Sequence, residues 1–186
     1  MLNVSQTLLR SRIPNLPDDH DTVEKMLADA GYTVDRVVPL AELLKPVVVG
    51  RVESLSQHPN ADRLKVCVVD DGTEQRLQIV TGASNVEAEA FYPVIRGGVT
   101  LPNGRKIKSG KLRGEVSEGM LGSADELELG TDHAGLMTLP HGFAPGTPLV
   151  DVVPTPGVVF ILHGNPPLDE VVEKLGGPPA ERPAEG

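Results

Sequence analysis

Apolar positions along the 186-residue chain change their spacing twice. In residues 1–46, Val23, Met26, Leu27 and Ala30 fall at i, i+3, i+4 and i+7, one helical stripe. Asp21 followed by Glu24 fits a capping box, and Gly31 can close the helix in the left-handed conformation. Leu8, Leu9 and Ile13 indicate a shorter helix ahead of the Pro-bounded turn at 14–17. The cluster Asp18, Asp19 and Asp21 suits the positive end of a helix better than a metal. Residues 1–46 therefore read as a small helical extension.

From 47 to 152 the period shortens. Runs rich in Val and Ile at 47–55, 64–70, 77–81 and 92–96 are separated by Gly, Pro, Asn and Asp, the pattern of strands and turns. Strict alternation puts Leu64, Val66 and Val68 on one face and Lys65 and Cys67 on the other, with Cys67 expected buried or half-buried. A strand pair is predicted around 106–108 and 112–116, a short helix capped by Ser123 over 125–129, and a last strand at 136–139. Five or more short strands in about 100 residues predict a mainly-β domain, a sandwich or small barrel. Residues 153–186 hold seven prolines and one segment, 168–175, able to form a short helix. This stretch reads as a Pro-rich tail, disordered over 176–186.

Composition narrows the chemistry. With 20 glycines and 17 prolines, turns are favoured over long helices. The single cysteine excludes an intrachain disulfide and a multi-cysteine zinc site. No run approaches about 18 apolar residues, so no membrane helix or membrane partner is expected, and a cytoplasmic location follows. The nearest approach to a phosphate-cradling nucleotide loop, Gly110-Lys111, has Arg105 where the first glycine belongs and Leu112 where the hydroxyl belongs. Ser117 lacks the first glycine of a nucleophile elbow, and the five histidines are scattered. No catalytic residue, metal or cofactor is expected.

Charge supplies the positive signal. The net charge is −9, yet residues 95–114 carry six cations (Arg96, Arg105, Lys106, Lys108, Lys111 and Arg113) and no acid. From 123 onward two cations face ten acids. A basic stretch on an acidic body can follow a phosphate backbone, or can be a solvated edge strand that resists aggregation. Aromatic side chains are limited to Tyr32, Phe91, Tyr92, Phe143 and Phe160. Stacking platforms for an extended single strand are therefore scarce, and structured RNA fits better.

Specific words then stand out. Val49-Gly50-Arg51-Val52, His58-Pro59-Asn60-Ala61-Asp62-Arg63-Leu64, Gln78-Ile79-Val80-Thr81-Gly82-Ala83-Ser84-Asn85-Val86, Lys111-Leu112-Arg113-Gly114 and Ser117-Glu118-Gly119-Met120-Leu121 occur in order. Together they resemble the tRNA-binding domain. Glu126-Leu127, His133-Ala134-Gly135 and Leu139-Pro140, with Ala30-Gly31-Tyr32-Thr33-Val34-Asp35, resemble one branch of it, the N-terminal region of the bacterial phenylalanine–tRNA ligase beta subunit. The resemblance covers about 1–153 and implies an OB-fold barrel over 47–152. Ligase activity is not carried over: after Val153 the chain departs through Thr155-Pro156-Gly157, which reads as a short free-standing relative.

The resemblance implies RNA contacts at Asn60, Arg63, Asn85, Lys106, Lys108, Lys111, Arg113, Ser117 and Met120. Asn60 and Asn85 equally suit a turn-organising role, Met120 equally suits the core, and about half of the cations are expected to face RNA. The reading is a non-catalytic tRNA-binding protein that recognises backbone shape and charge, with a homodimer or an aminoacyl-tRNA synthetase as open further partners. Two alternatives stay open. One is a regulatory subunit that docks through an exposed Val23–Met26–Leu27–Ala30 stripe. The other is a peptide-binding chaperone on the same fold, which requires an apolar groove.

Overall fold

The computed structural model describes residues 1–179; the remainder of the expected tail lies outside the described residues. The chain opens with β1 (Leu2–Ser5), α1 (Gln6–Arg12), α2 (His20–Asp29), β2 (Val34–Pro39) and α3 (Leu40–Leu43). The middle runs through β3 (Val48–Gln57), β4 (Lys65–Asp70), β5 (Leu77–Thr81), β6 (Phe91–Arg96), β7 (Gly110–Leu112), β8 (Glu115–Ser117) and β9 (Gly119–Leu121). A short 3-10 turn at Leu149–Asp151, β10 (Val158–Leu162) and α4 (Leu168–Lys174) follow.

Strands β5-β4-β3-β6-β9 form one antiparallel sheet. It curls until β5 meets β8 and β9, giving the nearly closed five-stranded, OB-like barrel expected. The inward face carries Val52, Cys67, Val69, Ile79, Tyr92 and Val94, all at most 1% exposed. On β4 the core face is thus the one holding Cys67 and Val69, and burial pushes the Cys67 thiol up to about 11. A register shift between Val52 and Ser54 bends β3 around the barrel.

The two ends of the chain depart from expectation. Residues 1–46 and the Pro-rich stretch after 153 join in a second sheet, order β1-β10-β2, with Leu2 opposite Leu162 and Val158 opposite Pro39. A helix-plus-tail reading missed it because the central strand, β10, comes from the opposite end of the chain to β1 and β2. Val4, Leu9, Ile13, Val23, Leu27, Phe160, Leu162, Val171 and Val172 make that core. β10 sits between two strands, which explains its unbroken apolar run, Val158-Val159-Phe160-Ile161-Leu162. The stripe Val23, Met26, Leu27 and Ala30 packs into this core, so it offers no exposed docking face. The cap of α2 is Asp19, which accepts from Asp21 N–H and Thr22 O–H, and not Asp21. Gly31, at φ +97°, closes the helix as expected.

The seam between sheet and barrel is polar as well as apolar. Val159 packs with Leu40, Leu44 and the barrel residues Ile95, Leu127 and Leu149. Asn3 donates to the Pro102 carbonyl at 3.1 Å, and Ser5 donates to Glu128 at 2.7 Å while accepting from Leu8 N–H. Glu128 stands at φ +58° and is 7% exposed. Its left-handed conformation ends the turn that the sequence predicts as a helix over 125–129. Instead, Ser123 N–H and hydroxyl bond the Glu126 carboxylate, and no α-helix forms.

Burial raises the Glu128 carboxyl above its ordinary value; the Ser5 hydrogen bond opposes this and nearby Asp125 adds to it. A raised carboxyl penalises the folded state above its folded pKa, and the penalty vanishes as pH falls below the ordinary value of 4.5. Glu128→Gln is therefore expected to raise Tm relative to the parent at about pH 7, with the gain shrinking steadily on acidification. Melting curves of both proteins across that range test this; a gain that is constant with pH refutes it.

Candidate nucleic-acid interface

The basic face is assembled by a hairpin and by the excursion before it. In 97–109 the chain folds back on itself through Gly98 N–H to the Ile107 carbonyl (2.7 Å) and Ile107 N–H to the Val99 carbonyl (2.8 Å). Ile107 is buried, so its neighbours Lys106 and Lys108 both turn outward. The strand expected at 106–108 is reduced to one bridge between Lys106 and Thr100, because burying Ile107 draws the segment into this excursion. The pairing strands instead are β7 and β8, with Lys111 opposite Val116.

Two residues, Arg113 and Gly114, connect β7 to β8 at φ +53° and +93°. This is the turn whose twist matches a tight antiparallel pair. Glycine adopts it freely, whereas Arg113 is held there at a cost of about 1 kcal/mol. The tip is clamped from the side. His58 is buried, accepts the Asn60 N–H at Nδ1 (2.9 Å) and, in the tautomer this requires, donates from Nε2 to the Leu112 carbonyl (2.8 Å). The Asn60 amide donates to the Arg113 carbonyl at 3.3 Å. His58, present in a quoted motif but given no role there, thus positions the hairpin.

Ser117 and Glu118 close the barrel. The Ser117 hydroxyl accepts from Val80 N–H (3.1 Å) and donates to the Gly119 carbonyl (2.9 Å), and the side chain is 5% exposed. A Glu118 carboxylate oxygen accepts from Gln78 N–H at 2.7 Å, while Glu118 N–H donates to the Gln78 carbonyl at 2.8 Å. Ser117 is thereby committed to the backbone rather than turned to a ligand. Asn85 likewise clamps Leu136, accepting its N–H and donating to its carbonyl, at 2.9 and 3.0 Å. A Cβ at Gly135 would sit 2.7 Å from that Asn85 amide, so only glycine fits the clamp.

The hollow beneath the hairpin has a volume of about 350 Å³ and is lined by Lys106, Lys108 and Lys111 together with Arg105, which the residue-by-residue reading left out. Met120 lines it too, while packing against the core beside Ile95. Arg113 faces a neighbouring hollow with Asn60 and Arg63. None of these six cations makes an ion pair among the described residues, whereas Arg96 does, with Asp71 at 2.5 Å. Burial opposes the Asp71 charge, but Thr73 and Arg96 outweigh it and hold its carboxyl below the usual range. Arg96 thus leaves the basic set. Tyr92 is buried with its hydroxyl donating to the Asn85 carbonyl, and Phe91 meets His141 edge-on, so neither forms a stacking platform.

With this geometry in view, the comparisons converge. Residues 47–148 match the family described as "Putative tRNA binding domain". The chain belongs to the tRNA-binding-domain family. It is 42% identical over 156 residues to the phenylalanine–tRNA ligase beta subunit of Bordetella pertussis, covering 84% of this chain and 19% of that protein. It is 37% identical to the same subunit of Chlorobium chlorochromatii, covering 94% of this chain and 22% of that one. The chain thus spans about a fifth of the length of these curated relatives. Among solved structures, a MetRS-related protein from Pyrococcus horikoshii is 21% identical with a TM-score of 0.41, over 54% of this chain and 85% of that one. No helix among the described residues is long and apolar enough to cross a membrane.

Two substitutions separate structure from charge here. Ser117→Ala strands the Val80 N–H and is expected to cost about 1–3 kcal/mol in urea denaturation. Arg113→Asn keeps a residue that tolerates the left-handed turn and is expected to leave stability unchanged or higher. An unaffected Ser117→Ala protein would mean that the barrel closes without this bond.

Proposed function

We propose that this member of the tRNA-binding-domain family grips folded tRNA by its phosphate backbone, without catalysing a reaction of its own. The observation that carries the reading is the hollow in which Arg105, Lys106, Lys108 and Lys111 converge without partner acids among the described residues, on a chain of net charge −9. Arg63 and Arg113 extend this surface around the hairpin tip. Cations left unpaired at a surface are free to replace the counterions of a polyanion. The buried Tyr92 and edge-packed Phe91 leave base stacking a minor part, so backbone shape is the quantity read.

The similarity to phenylalanine–tRNA ligase beta subunits supports a place in tRNA aminoacylation, with a synthetase as working partner. The chain itself lacks a nucleotide-cradling loop motif and is expected neither to activate an amino acid nor to charge tRNA. Pyrophosphate exchange by the purified protein would overturn that part.

Binding to tRNA is expected to weaken with salt at a log–log slope of roughly −3 to −4, as for about four phosphate contacts. Folded tRNA should compete better than an unstructured oligonucleotide of equal charge. Lys111→Ala combined with Arg113→Asn should cost about 1–3 kcal/mol of binding at retained Tm. If the double variant binds tRNA as the parent does, the basic face is only a solvated edge.

A further inference from the structure

The basic hollow does not end at Met120. A second concavity of about 450 Å³ shares Val80, Arg105 and Met120 with it and runs on past the loop after β5. Along this groove the chemistry inverts. Beyond Arg105, no further Lys or Arg among the described residues lines it; the ionisable groups are Glu126 and His133, and Ser84 also lines it. A carboxylate there repels phosphate, so the groove cannot hold backbone along its full length.

The free atoms indicate what the far end accepts. Glu126 takes both the N–H and the hydroxyl of Ser123 on Oε1, at 3.2 and 2.7 Å. Its Oε2 has no protein partner among the described residues, and neither has the Ser84 hydroxyl. His133 uses Nδ1 toward the Thr131 carbonyl at 3.2 Å, leaving Nε2 open. Val80, Met120 and Leu136 supply apolar wall between these groups. A volume of about 450 Å³ is in the range of small-molecule sites. Among the described residues no three His, Cys, Asp or Glu side chains gather to hold a metal ion beside Glu126.

We propose that this end of the groove is a nucleoside subsite. It takes one unpaired nucleotide whose phosphate lies on Arg105 and the lysines and whose base or ribose donates a hydrogen bond to Glu126 Oε2. Met120, shared by both concavities, is the surface on which that nucleoside rests. The subsite builds on the tRNA-binding reading and adds to it: a protein that holds backbone by charge also tests whether one nucleotide beside that backbone is unpaired. A base N–H or a ribose hydroxyl satisfies Glu126, and the amino group of cytosine and the 2′-hydroxyl are the two such donors varied below.

The test is backbone-amide NMR of the full chain titrated with inorganic phosphate, cytidine 5′-monophosphate, uridine 5′-monophosphate and 2′-deoxycytidine 5′-monophosphate. Inorganic phosphate is expected to move the amides of 105–111 alone, which probes the tRNA-binding reading independently. Cytidine 5′-monophosphate should also move Ala83, Ser84, Ala134 and Gly135. A tighter fit for cytidine than for uridine assigns the donor to the base, and loss of affinity in the deoxy compound assigns it to the ribose. Glu126→Gln keeps an oxygen for Ser123 but offers an amide in place of a free carboxylate oxygen. It should weaken cytidine 5′-monophosphate about tenfold while leaving the phosphate response intact. Nucleotides that move only 105–111, or a Glu126→Gln protein that binds them as the parent does, would overturn the subsite while leaving backbone binding standing.

Discussion

Closure of the barrel through Ser117 and Glu118 is the constraint on which the basic face depends. Strand order leaves β5 and β9 as edges, and a regular ladder does not join them. The gap is closed by side chains: the Ser117 hydroxyl takes Val80 N–H, and Glu118 takes Gln78 N–H. Because β7 pairs only with β8, Lys111 is held where it is by these bonds at the root of the hairpin. The same closure brings Val80 of β5 beside Met120 of β9, forming the floor shared by the two concavities. Glu118, between Ser117 and Gly119 of the basic hollow, thus serves the backbone, and its charge is partly absorbed by the N–H it accepts.

Electrostatics is arranged by pairing and by omission. Arg51 pairs with Glu89, Arg76 with Glu53 and Asp70, and Arg96 with Asp71, so these three barrel cations are answered locally. Among the described residues those of the excursion and the hairpin are not. Exposed pairs of this kind contribute little to stability, so their main effect is on the surface potential: they offset the charge of Arg51, Arg76 and Arg96 and leave the cations of the groove as the densest positive cluster. This is how a chain of net charge −9 presents a local field of opposite sign.

Much of this was legible before the fold was. Alternation and turn residues located β3 to β6, with 77–81 predicted to the residue; β3, β4 and β5 are neighbours both in sequence and in the sheet. The sheet β1-β10-β2 was not, since its central strand comes from the other end of the chain and no local signal names its partners. The apolar run at 158–162 was a signal; the surrounding prolines masked it. At the site, the cations were visible as a cluster in sequence, but Arg105 was counted there without being named as a contact and Arg96 was counted although it is paired. Which cations are paired depends on Asp71, distant in sequence, and on the inward turn of Ile107. Ser117 and Asn85 were offered as ligand contacts because a polar side chain in a motif looks the same whether it faces solvent or a backbone amide. Only the Val80 and Leu136 partners distinguish the two.

On the proposed reading, the clamp on the hairpin is what lets flexible side chains read shape. Lysines lose considerable rotamer freedom when fixed on a phosphate, about 1.5–2 kcal/mol each on common scales. A surface that also had to order its backbone would lose more. Here His58 and Asn60 hold the carbonyls of Leu112 and Arg113, and the left-handed turn at Arg113 and Gly114 leaves the tip one conformation. Under the proposed function, the backbone position of Lys111 is set before RNA arrives, and the side-chain ends remain to adjust. A rigid backbone carrying mobile cations discriminates among polyanions by the distance between phosphates. That is the property separating a folded tRNA from a random strand of the same charge.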